Sequence, residues 1–135
     1  MFETKFVIVV REDLATWQKL NVTAFLSTGI AASKPDIIGE TYRNASGHVY
    51  HPMSVQPIII LSATSEKLAS IHRRALERDV QTSLYIEEMF STGHDEANRA
   101  VFSRFTPDDA KVVGLAFHTD RKIADKISKG ARMHA

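Results

Sequence analysis

The chain has 135 residues, 44% of them hydrophobic and 24% charged, and a net charge of +1. That length predicts one domain with a sizeable core, and a balance so near neutral argues against a dedicated nucleic-acid binder. There are no cysteines, which excludes disulfides, thiol catalysis and thiolate metal sites and fits a reducing, cytoplasmic setting. No apolar run approaches a membrane span, so no membrane partner is expected, and the run at 6–10 is too short for a signal peptide.

Residues 6–10, FVIVV, are an unbroken apolar run rich in β-branched residues, the pattern of a strand covered on both faces. Arg11, Glu12 and Asp13 close it. From Thr16 the period becomes helical: Trp17, Leu20, Ala24 and Ala31 share a face, and Val22, Phe25, Leu26 and Ile30 widen it. A helix apolar around most of its circumference is expected to be largely buried, with Asp13 or Thr16 capping its start. Residues 33–36, Ser-Lys-Pro-Asp, mark its stop. Asn44 to Gly47 give a turn signal between extended pieces at 41–43 and 48–51, which predicts a hairpin near 37–51.

Residues 58–61 are fully apolar and read as a second, central strand. Leu68, Ile71, His72, Ala75 and Leu76 recur at helical spacing and make the clearest amphipathic helix in the chain. A third strand is expected at 83–86, a helical insertion near 95–105 and a fourth strand at 112–117. His118 to Asp120 then open a last helix with Ile123, Ile127, Gly130 and Ala131 on its core side. Strands alternating with helices predict an α/β fold: one domain over 1–135, with a mixed sheet of about four main strands in a three-layer α/β/α sandwich.

Ligands of open α/β sheets collect beyond the carboxyl ends of strands, near helix N-termini. That makes Arg11, Asp13, Lys19 and Asn21 candidate site residues, Asn21 being expected on a mostly buried helix. Glu87 and Glu88 follow the third strand directly, where a carboxylate can act as a general base or orient a lysine. His51 is a lone candidate beside Pro52. With His48 it forms an H-x-x-H that a strand would point to opposite faces, so no metal site is expected. No G-x-S-x-G elbow, dinucleotide fingerprint or P-loop lysine occurs, and no cofactor is expected.

Residues 5–14, KFVIVVREDL, resemble the opening of the type II peptidyl-tRNA hydrolases, a strand ending in Arg-x-Asp-Leu before a buried helix. The chain as a whole is similar to a family of small uncharacterised bacterial proteins with a type II peptidyl-tRNA hydrolase-like fold. The shared features are Asp13-Leu14, Asn21, the turn at 44–51, Pro57 with the following strand, and Gly114 to Phe117. The resemblance implies that fold for this chain. Where the hydrolases carry Gly-Lys-Gly-Lys, this chain reads Thr16-Trp17-Gln18-Lys19-Leu20-Asn21, with Asn21 at the lysine position and Lys19 about half a turn away. Their Asp-Ala-Gly-x-Thr loop is Glu88-Met89-Phe90-Ser91-Thr92 here. An amide cannot supply the charge a lysine gives an oxyanion.

The expectation is therefore a non-hydrolase that binds a small molecule or a protein, using Arg11, Asp13, Asn21, His51 and Glu88 around a polar cleft. The alternative is a divergent hydrolase of peptidyl-tRNA or another acyl ester, with Lys19 and Glu88 catalytic; only there does tRNA become a partner. A homodimer is a third expectation, through an apolar patch at Val49-Tyr50 or Met89-Phe90.

Overall fold

In the computed structural model, which describes residues 2–134, the elements run β1 (Thr4–Arg11), α1 (Thr16–Ser33), β2 (Tyr42–Arg43), β3 (Val49–Tyr50), β4 (Ile58–Ala63), α2 (Ser65–Glu77), β5 (Ser83–Ile86), α3 (Asp95–Phe102), β6 (Val112–Asp120), α4 (Arg121–Ile127) and β7 (Arg132–Met133). β1 lies at the centre. It pairs in parallel with β4 and antiparallel with β6, and the sheet order is β5-β6-β1-β4-β7. The run at 6–10 is buried throughout because side chains alternate between two covered faces.

Phe6, Ile8 and Val10 face α1, which contributes Val22, Leu26 and Ile30. Val7 and Val9 join the opposite cluster, with Leu68, Ile71 and Ala75 of α2 and Ala124 and Ile127 of α4. Gly114 in β6 allows α1 to approach the sheet closely: a Cβ there would stand 2.5 Å from Val22 Cγ1.

The sequence predicts about four main strands, and the main sheet among the described residues has five. α4 stops at Ile127 instead of continuing to Ala131, because Gly130 takes a φ of +97° and turns the chain back to add β7 to β4. β4 is thus one strand in from the edge, not central, and Ile58 is 40% exposed. His118 and Thr119 belong to β6; Asp120 caps α4, its Oδ2 accepting the Lys122 N–H at 3.0 Å. α3 ends at Phe102, short of the expected 105.

The largest correction concerns α1. It is not largely buried. Only Val22, Leu26 and Ile30 are fully covered, while Trp17, Leu20 and Phe25 are 62%, 67% and 54% exposed. Neither Asp13 nor Thr16 caps it. Ala15 is the N-cap residue, and the Gln18 side chain reaches back to accept the Ala15 N–H at 3.0 Å.

Between α1 and β4 the chain forms a two-stranded ribbon, longer than the predicted hairpin. Val55 N–H donates to the Ile37 carbonyl at 2.8 Å, Gly39 N–H donates to Met53 at 3.0 Å, and Tyr42 pairs with Tyr50. Every residue from 40 to 51 is exposed. Among the described residues, no helix is long and apolar enough to cross a membrane.

Candidate functional site

The outward residues of α1 form one wall of a cleft of about 820 Å³. That volume is within the range of small-molecule sites. Its other walls are β5, the short helical turn at 87–91 that follows it, and α3. Four aromatic rings meet there. Tyr85 and Phe90 lie 5.2 Å apart between ring centres, Trp17 meets Phe90 edge-on at 6.1 Å, and Phe25 meets Tyr85 at 6.0 Å. These are favourable edge and tilted geometries for aromatic quadrupoles. Burial pushes the Tyr85 phenol above its ordinary pKa, so it stays protonated.

The polar groups on this cleft are mostly neutral. Asn21 lies on the α1 wall, and Thr92 and Asn98 face it from the far side. The Thr92 hydroxyl contacts both the Met89 carbonyl and the Asn98 side chain. His94 caps α3 by accepting the Ala97 N–H on Nδ1 at 3.2 Å. Arg99 is tied to Asp95 within one turn, Nε to Oδ2 2.7 Å. Among the described residues no three His, Asp or Glu side chains converge as a metal-binding group.

The structure separates the residues singled out from the sequence. Asn21 lines the cleft, but from an exposed position, because it sits on the outward side of α1. Arg11 and Asp13 come together at the end of β1, Nε to Oδ1 2.6 Å, and Arg11 also reaches Glu87 at 3.0 Å. Burial opposes the Arg11 charge, but hydrogen bonds to Asp13 and Glu87 outweigh it and raise its pKa above the ordinary value. His51 sits on the exposed ribbon. Lys19 is partly covered and makes no ion pair with Glu88. Glu88 Oε1 is buried and has no hydrogen-bond partner among the described residues. Neither Lys19 nor Glu88 lines the cleft.

Of the two acids singled out after β5, Glu87 and not Glu88 meets the end of β1. Two participants were not visible as such in the sequence. Tyr85 and Phe90 read as strand and loop residues, and only the fold brings them to Trp17 and Phe25. The available signal was the surplus of apolar residues around α1, more than one buried stripe needs.

Comparison with known proteins supplies a family and no activity. Residues 4–135 match DUF2000, a protein family of unknown function. Comparison with curated proteins gives no match. Among solved structures, the protein of unknown function Atu0240 from Agrobacterium tumefaciens strain C58 is 62% identical, with a TM-score of 0.98 and complete coverage of both chains.

Proposed function

Since the chain belongs to DUF2000, a family of unknown function, we propose from its geometry that it is a binding protein for a small, planar, largely apolar molecule with a hydrogen-bonding edge. The observation that carries this reading is the convergence of Trp17, Phe25, Tyr85 and Phe90 on a cleft whose polar lining is mostly neutral, its one cation among the described residues, Arg99, being paired with Asp95. Aromatic rings offer stacking area at low entropic cost, and Asn21 and Asn98 offer donors and acceptors without charge. The same reading takes the fold as a type II peptidyl-tRNA hydrolase-like sandwich, the setting as the cytoplasm of a bacterium, and the hydrolase chemistry as lost with the lysine that Asn21 replaces. A bacterial neighbour of 62% identity and the absence of cysteine support it.

The chain has one tryptophan, and it lies on the cleft, so the test is a titration followed at the Trp17 indole N–H by nuclear magnetic resonance. With 2-naphthamide as the probe, a saturable shift at Trp17 and at the Asn21 side-chain amide is expected. Shifts confined to other surfaces would contradict the proposal.

One observation bears on the hydrolase alternative: Glu88 Oε1 is an acceptor without a hydrogen-bond partner among the described residues, but it is buried and off the cleft, so a substrate or a lysine reaches it only if the turn at 87–91 moves. A peptidyl-tRNA hydrolysis assay with Lys19→Ala and Glu88→Gln separates the two. The binding reading predicts no turnover above the variants. Turnover that both variants lose would establish the alternative.

A further inference from the structure

We propose that the ribbon at 37–55 is a dimerisation arm whose partner is a second copy of this chain. The first argument is area. A compact monomer of 15.1 kDa exposes about 7,100 Å², whereas this chain exposes 8644 Å². The excess, about 1,500 Å², is larger than the roughly 800 Å² that each partner gives to a standard interface. A subunit drawn without its partner shows such an excess, and residues 40–51 of the arm are the longest continuously exposed stretch among the described residues.

The second argument is composition. Tyr42, Val49, Tyr50, Met53 and Val55 are each half-exposed or more. Between 37 and 56 the only formal charges are Glu40 and Arg43, one of each sign. A ribbon with five exposed apolar side chains and one charge of each sign fits an apolar protein surface better than a phosphate backbone or a charged peptide. The same chain offers such a surface in the outward side of α1, where Leu20 is exposed beside the cleft rather than in it.

The third argument is that the arm is stiffened while covering none of its own molecule at the tip. The Asn44 side-chain oxygen accepts the N–H groups of Ser46 and His48, each at 3.0 Å. Its amide nitrogen donates to the Tyr50 hydroxyl at 3.3 Å, and Arg43 donates to the Gly47 carbonyl at 3.2 Å. An isolated two-stranded hairpin is marginal in water. Local ordering of this kind lowers the entropy lost on docking.

Sedimentation velocity on the full chain from about 1 to 100 μM tests the proposal. Wild type is expected to sediment as a dimer, and Val49→Asp with Tyr50→Asp is expected to weaken association at least a hundredfold. Both positions are exposed, so near-ultraviolet circular dichroism should confirm an intact fold. The absence of cysteine gives a second readout. A nitroxide on Ser46→Cys places one spin label on each chain, so any dipolar modulation reports a neighbouring copy. A monomeric wild type at 100 μM would overturn the proposal. A dimer that survives the double variant would overturn it by placing the interface elsewhere, such as Met89-Phe90.

Discussion

α1 and α2 lie on opposite faces of one sheet and distribute their apolar residues differently. In α2 the buried residues, Leu68, Ile71, His72 and Ala75, fall on one stripe, and the other side is mostly charged. In α1 an equally firm inner stripe of Val22, Leu26 and Ile30 is matched by an outer side carrying Trp17, Leu20 and Phe25. The inner stripe packs on the sheet, and the outer side borders the aromatic cleft, where Trp17 and Phe25 meet Phe90 and Tyr85. The comparison teaches that apolar residues beyond what the core uses are the ones to examine for binding.

The inner stripes should behave alike. Leu68→Ala on α2 and Leu26→Ala on α1 are each expected to cost about 2–5 kcal/mol in chemical denaturation, the range for emptying a buried leucine site. A Leu26→Ala cost near zero would break the comparison by showing that α1 is loosely docked. Gly114→Ala should destabilise by about 1–3 kcal/mol, because the added methyl meets Val22 and Leu26 and pushes α1 off the sheet.

The helix starts should differ. Thr64 Oγ1 accepts the Lys67 N–H at 3.2 Å, so Thr64→Ala is expected to cost about 1 kcal/mol. Thr16 makes no such bond, so Thr16→Ala should change stability by less than about 0.5 kcal/mol.

The smallest expected effect is a pH dependence to which α2 contributes through His72. Burial, aided by the charge of Arg73, holds the His72 imidazole below its ordinary pKa. The unfolded chain therefore binds the proton more readily. This contribution to stability is complete above about pH 6.5 and is lost as pH falls through the lower folded-state value. His118, depressed by burial and by Lys34, acts in the same direction. Denaturation midpoints from pH 7.5 to 5 should fall less steeply in His72→Gln than in wild type.

How much of this was legible in the sequence follows from the range of the interactions. β1 and α2 were legible because a run of apolar residues and a strict helical period are local signals. A helix apolar around most of its circumference gives no preferred face, so the sequence of α1 overstates its burial. β7 was invisible because two residues carry no period, and its formation depends on the turn at Gly130. The ribbon's base was missed because Ile38 bridges Ser54 across a long stretch with no alternation. At the candidate site, the position of Asn21 relative to the strand was legible, but not that it faces outward onto the cleft wall. Tyr85, Phe90 and the Arg11–Glu87 pair required tertiary contacts between distant segments.

The most direct test of the account is the Trp17 indole titration with 2-naphthamide, run on wild type and on Phe25→Ala with a thermal melt of each. Phe25 is more than half exposed, so its loss is expected to cost only about 1 kcal/mol of stability while weakening binding at least tenfold. That result would separate the outer side of α1 from the inner one. Equal binding by the two proteins would mean that the cleft is not the site, and a collapse of the melt in the variant would mean that Phe25 serves the fold, contradicting the division of α1 into two sides.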